Sequence, residues 1–145
     1  MHLTLRTNLA MRALMTCAVH APRTLRKSDI ARLCNGSEAH FGMVVNRLGQ
    51  GGFIETMRGR GGGIRLARPP EQITVGQVAR AFEAGTPFTA CFEGGQGDCP
   101  IRSACRLRGV FCEALAAFYT VLDRTTLADL TQDNGALEEL LSMSE

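Results

Sequence analysis

Residues 37–66 read SEAHFGMVVNRLGQGGFIETMRGRGGGIRL, and the way this stretch divides decides the fold. Ser37 is a good helix N-cap, and Phe41, Val44, Val45 and Leu48 recur behind it at helical spacing. The helix ends at Gly49 or at Gly51-Gly52. Phe53 to Met57 then alternates as a strand, and Ile64-Arg65-Leu66 reads as a second one. Between them lies Arg58-Gly59-Arg60-Gly61-Gly62-Gly63, a hairpin tip that glycine permits by tolerating positive φ.

Upstream, Leu5, Leu9, Ala13, Met15 and Val19 mark a first helix from Leu5 to His20, ended by Pro22. Ser28 to Leu33 reads as a second short helix, stopped by Asn35-Gly36. Three short helices followed by a basic hairpin form the winged helix-turn-helix pattern, whose third helix enters the DNA major groove.

Downstream, Pro69-Pro70 marks a break, and Thr74 caps a fourth helix through Ala84 that Gly85-Thr86-Pro87 closes. Residues 88–99 form a Gly-rich loop. A long helix is expected from about Pro100 to Leu122, with a seam of Leu107, Phe111, Ala114, Phe118 and Val121 at heptad spacing. Thr126 caps a last short helix, and a mobile tail is expected from about Asp133. The fold class is therefore mainly α with a small β wing, a winged helix-turn-helix plus a long C-terminal dimerisation helix. The division expected is a DNA-binding domain over 1–68 and a cysteine-loop and dimerisation region over 69–145.

Charge supports that division. Residues 1–68 carry eleven basic and three acidic side chains, whereas 69–145 carry five and eleven, so a net charge of +2 conceals a basic half and an acidic half. Fifteen of the sixteen basic residues are Arg, whose planar fork suits phosphates and guanine edges. The partner implied is double-stranded operator DNA. Ser37, Glu38, Ala39, His40 and Met43 are the candidates near the start of the third helix, with Arg47 one turn further and suited to a phosphate. Arg58, Gly59 and Arg60 at the slim wing tip are placed to reach an adjacent minor groove.

Six cysteines without an exported chain's apolar leader argue against a disulfide scaffold, because the cytosol keeps thiols reduced. No apolar run approaches the roughly 20 residues that span a bilayer, so the expectation is a cytoplasmic protein without a membrane partner. Cys91, Cys99, Cys105 and Cys112 crowd into 22 residues, which in a reducing compartment reads as metal or redox chemistry. Cys91-x7-Cys99-x5-Cys105 matches neither a paired C-x-x-C zinc site nor the C-x2-C-x2-C of ferredoxins. Three thiolates on a Gly-rich loop can still wrap a metal–sulfur core and leave one position for a weaker ligand. If Cys105 and Cys112 share the long helix, a rise of about 10.5 Å separates them, which disfavours Cys112 as the fourth thiol and makes it a buried hydrophobe near the seam. Cys17 and Cys34 read as core residues.

The chain resembles the iron–sulfur winged-helix regulators of the IscR/NsrR type over nearly its whole length. The resemblance rests on Leu3-Thr4 through Leu14, the wing 58–63, Cys99-Pro100 to Cys105-Arg106-Leu107, Phe118 with Leu122-Asp123, and Thr126 to Leu130. It looks more like the nitric-oxide-responsive NsrR branch, because Arg108 stands where the IscR branch has a ligating His. That resemblance implies a homodimeric repressor with an iron–sulfur cluster, [4Fe-4S] or alternatively [2Fe-2S], on Cys91, Cys99 and Cys105, and nitric oxide as effector. Where the NsrR pattern has an Asp in the first helix of the partner subunit, this chain has Asn8, a neutral amide. The fourth ligand thus stays open among Asn8, water, a buffer thiol, Glu93, Asp98 and His2. The alternative reading is a winged-helix regulator with zinc or a metal-free thiol switch. An enzyme is not expected, since the sequence offers no acid–base pair, nucleophile elbow or phosphate loop in strand-to-helix context.

Overall fold

The computed structural model describes residues 3–92 and 99–142. Its elements run α1 (Leu5–Val19), α2 (Lys27–Leu33), α3 (Glu38–Gln50), β1 (Ile54–Met57), β2 (Gly63–Leu66), a short 3-10 turn (Pro70–Gln72), α4 (Val75–Glu83), α5 (Leu107–Asp123), α6 (Leu127–Thr131) and α7 (Gly135–Leu141). Local chemistry accounts for most of the starts. The hydroxyls of Thr4, Ser37, Thr74 and Thr126 accept from backbone N–H groups of α1, α3, α4 and α6, and the last two complete reciprocal capping boxes.

One core joins helices α1 through α4, both strands and α6. Phe41, Val44 and Leu48 from α3 pack with Leu9 and Leu14 from α1, Leu25, Ile30, Ile54 and Ile64. Ile73, Val78, Phe82 and Leu127, all beyond residue 68, belong to the same core. Cys17 and Cys34 lie within it, as expected. Burial, with the neighbouring Cys34, pushes the Cys17 thiol up to about 12. It is an inert apolar filler rather than a nucleophile.

The wing is a two-stranded antiparallel sheet in register Ile54↔Leu66, Glu55↔Arg65, Thr56↔Ile64 and Met57↔Gly63. Leu25 extends it by exchanging hydrogen bonds with Ile64 at 2.9 and 2.7 Å, which anchors the wing root to the segment before α2. At the tip Gly59 and Gly61 have φ of +97° and +81°, a conformation that a side chain would strain.

Three expectations need correction. The long helix begins at Leu107 rather than near Pro100. Residues 99–104 instead form turns closed by Arg102 N–H to the Cys99 carbonyl (3.1 Å) and Ala104 N–H to the Ile101 carbonyl (3.0 Å). The tail beyond Asp133 contains α7, capped by Asn134, and the His20 ring donates to the Leu141 carbonyl at 2.9 Å. The heptad seam also divides. Phe111 and Phe118 are half-buried against their own chain, whereas Leu107, Ala114 and Val121 join Val110 and Ala117 on an exposed stripe.

The junction of α4 and α5 is closely packed. Arg80 grips Asp123 with two hydrogen bonds of 2.5 and 2.7 Å and lies 4.3 Å above the Tyr119 ring. A Cβ on Gly76 would collide with the Asp123 carboxylate and stand 3.0 Å from its backbone nitrogen. Gly76→Ala is therefore expected to cost about 1–3 kcal/mol through overpacking. A thermal melt reads this as a fall of about 3–10 °C.

Candidate nucleic-acid interface and cysteine loop

Helix α3 presents three faces. Phe41, Val44 and Leu48 point into the core, and the opposite side carries Ala39, Met43, Asn46 and Gln50, all exposed. His40 and Arg47, also exposed, flank this outer face on the side of α1 and α4. Glu38 begins the helix, and its side chain lies outside the described residues. Ser37 is committed to the cap, its hydroxyl accepting from His40 N–H at 3.4 Å and lying 3.0 Å from His40 Nδ1. Arg58, Gly59 and Arg60 are exposed at the wing tip.

The sequence reading missed Asn46 and Gln50. With Ala39 and Met43 they complete a stripe at i, i+4, i+7 and i+11, and their amides suit an adenine edge in the major groove. The helical spacing itself carries the signal, since these positions face away from Phe41, Val44 and Leu48.

Arg47 has a second engagement. Its Nε donates to the Ala81 carbonyl in α4 at 2.7 Å, and its guanidinium sits 5.7 Å from the Phe82 ring centre. The adjacent Glu83 is tied to α1. One of its carboxylate oxygens accepts from Thr4 N–H (2.8 Å), the Thr4 hydroxyl (3.0 Å) and the Thr7 hydroxyl. Burial pushes the Glu83 carboxyl up, but these hydrogen bonds from Thr7 and Thr4 outweigh it and hold the group below the ordinary carboxylate value. The end of α4 is thus bound to the first helix and to α3 immediately before the chain turns into the cysteine loop.

Each described loop cysteine sits on a turn or at a helix approach. Cys91 lies in a turn closed by Phe92 N–H to the Thr89 carbonyl at 3.1 Å, and the Thr89 hydroxyl is 3.0 Å from its sulfur. Cys99 opens the turns before α5, and Cys105 ends them. All three are half-buried. Phe88 packs edge-on to Phe92 and Phe111 at 5.7 and 5.8 Å, pinning the root of the loop to α5. Among the described residues no three His, Cys, Asp or Glu side chains gather into a ligand set. Glu93, Asp98 and His2, raised as fourth-ligand candidates, lie outside the described residues. Asn8 is exposed on α1.

Cys112 is exposed rather than buried. The expectation failed because the half-buried side of α5 carries Phe111, Leu115, Phe118 and Leu122, and Cys112 falls outside it; Cys105, before the helix start at Leu107, does not share the helix with it. On helical geometry Cys112 points away from the Leu107–Val121 stripe.

These features define a winged-helix DNA-binding regulator. The profile of the Rrf2 family, described as iron-dependent transcriptional regulator, matches residues 3–133. The chain belongs to the Rrf2 family of transcriptional regulators. It is 40% identical over 146 residues to the HTH-type transcriptional regulator NsrR of Bacillus subtilis, covering 100% of both chains. It is 42% identical to the regulator of the same name from Geobacillus kaustophilus, over 97% of each. The solved structure of T. potens IscR superposes with a TM-score of 0.73 at 24% identity, covering 100% of this chain and 93% of the other. The helical fold with its small wing agrees with that neighbour, and the relatives are regulators rather than enzymes. Among the described residues no helix is long and apolar enough to cross a membrane.

Proposed function

We propose that the protein is a homodimeric repressor whose operator affinity is set by an iron–sulfur cluster responsive to nitric oxide. The observation that carries this reading is the bonding of the α4 end, through Glu83 and Arg47, to α1 and α3 immediately before the cysteine loop. The donor set fits the cofactor in its chemistry, because Cys91, Cys99 and Cys105 are three half-buried thiols that offer soft ligands on a loop whose root is packed by Phe88, Phe92 and Phe111. Cys91, Cys99 and Cys105 would hold the cluster, [4Fe-4S] or [2Fe-2S], with Asn8 of a second copy available as a weak oxygen donor. When bound, the cluster supplies an iron position open to attack by nitric oxide.

The remaining steps belong to the protein. The aromatic cluster limits water at the loop root, and the Thr89 hydroxyl supports the Cys91 sulfur. A change in the path of the loop shifts residues 84–86, and with them the carbonyl that holds Arg47 and the carboxylate that holds Thr4 and Thr7. Helix α3 then moves relative to α1, a two-state coupling between loop and DNA face. In the dimer two copies of α3 read two half-sites, so such a shift changes their spacing.

The DNA face comprises Ser37 at the cap of α3, Glu38, Ala39, His40, Met43, Asn46, Arg47 and Gln50 on α3, and Arg58, Gly59 and Arg60 on the wing. Arg58→Ala or Arg60→Ala is expected to weaken operator binding and to lower the slope of log affinity against log salt by about 0.9 for each phosphate no longer neutralised. Iron content should be unchanged, and its loss in either variant would count against this placement of the wing. Operator titration before and after nitric oxide tests the reading as a whole. The competing thiol or zinc switch would show as colourless protein with full operator affinity.

A further inference from the structure

A groove of about 430 Å³ opens between the start of α1, the flank of α3 and the exit of α4. Three basic side chains line it, Arg6 from α1 and His40 and Arg47 from α3, while residues 84–86 form its far wall. No carboxylate is among the lining residues. The nearby acid, Glu83, is taken up by Thr4 and Thr7. Arg47 uses its Nε on the Ala81 carbonyl, which fixes the guanidinium plane and leaves its terminal nitrogens to fork an anion. Arg6, His40 and Arg47 are all exposed, which suits a seat closed by a long polyanion better than a cage for a small ion. The groove also borders the outer face of α3, where Ala39 and Met43 lie exposed.

We infer that this groove seats a phosphate of the operator backbone, held by Arg6 and Arg47 with the Thr86 hydroxyl available beside them. Arg6 is then a DNA-contacting residue outside both the helix-turn-helix pair and the wing. Because residues 84–86 form one wall and also lead into the cysteine loop, the phosphate seat and the loop share a boundary. The assignment requires only DNA binding and stands whether or not a cluster is present.

The test measures operator affinity against potassium chloride concentration for the wild type and for Arg6→Gln, Arg47→Gln and Arg47→Lys. Arg6 is exposed, so its variant should fold, and a thermal melt of each protein confirms this. Arg6→Gln and Arg47→Gln should each lower the salt slope, the double variant by about 0.9 for the one phosphate lost, and each should weaken specific and non-specific DNA alike. Arg47→Lys should keep most of the slope. An unchanged slope for folded Arg6→Gln would overturn the assignment. Titration with inorganic phosphate at constant ionic strength separates the two sources of the same chemistry. Saturation below millimolar phosphate together with an unchanged DNA slope would make the groove a free-anion site and likewise overturn the inference.

Discussion

Replacing Cys91, Cys99 and Cys105 together by serine is expected to reduce bound iron and sulfide to background while leaving the fold intact. The serine hydroxyl keeps the size of the thiol but offers a hard, protonated oxygen where a soft thiolate is needed. The three cysteines are half-buried, lie on turns and are absent from the core cluster, so the core packing is untouched. A melting temperature equal to that of the cluster-free wild type is the corresponding expectation. Operator affinity should fall about 5- to 150-fold, the usual span for a coupling of about 1–3 kcal/mol between two sites. The measurements are iron and sulfide per chain and operator binding in the same preparation. Unchanged iron would move the ligand set elsewhere, and Cys112→Ser reads whether that exposed thiol belongs to it.

A second large effect is expected on the exposed side of α5. Leu107, Val110, Ala114, Ala117 and Val121 follow a 3-4-3-4 spacing, and the three large members are 53%, 58% and 62% exposed. No residue of this 17-residue helix is fully buried within its own chain. Such a stripe has the spacing of a coiled-coil seam, and in the proposed homodimer a second copy of the chain is its cover. In a two-fold interface each substitution counts twice. Burying a valine contributes about 1.5–3 kcal/mol, so Val110→Glu or Val121→Glu removes about 3–6 kcal/mol from one dimer, before the cost of burying the new charge. The dimer dissociation constant should therefore rise by about 10²- to 10⁴-fold. Sedimentation or light scattering should find monomers at micromolar concentration, and operator affinity should fall because one chain carries one recognition helix. Stability of the single chain should be unchanged, since these side chains already face water.

The parts of the fold that the sequence disclosed are those governed by local chemistry. Ser37 followed by Phe41, Val44 and Leu48 announces α3, and the run of glycines after Arg58 announces a hairpin tip, because cap, periodicity and positive φ all act within a few residues. The start of α5 was misplaced for a matching reason. Pro100 is a frequent first-turn residue and Ile101 extends the apolar pattern, whereas the true start at Leu107 has no side-chain cap to mark it. Gly135 likewise reads as a breaker, although Asn134 before it caps α7. The seam was ambiguous because two apolar stripes on α5 share Leu107, Ala114 and Val121. Only the packing of Phe88 against Phe111 shows which aromatic positions turn inward.

The candidate site divides along the same line. The cysteine spacing, the charge asymmetry and the basic wing were legible as residue types in order. The ties from Glu83 to Thr4 span 79 positions and that from Arg47 to Ala81 spans 34, and no local pattern encodes either. The structure therefore adds the ties from the end of α4 to α1 and α3, rather than the identity of the parts.

The most direct test of this account is operator binding by protein purified without oxygen, measured before and after stoichiometric nitric oxide with iron and sulfide counted in the same sample. The account predicts near-stoichiometric iron and sulfide, tight binding beforehand and a clear loss of affinity afterwards. Equal affinity before and after, with the cluster demonstrably present and demonstrably modified, would contradict it.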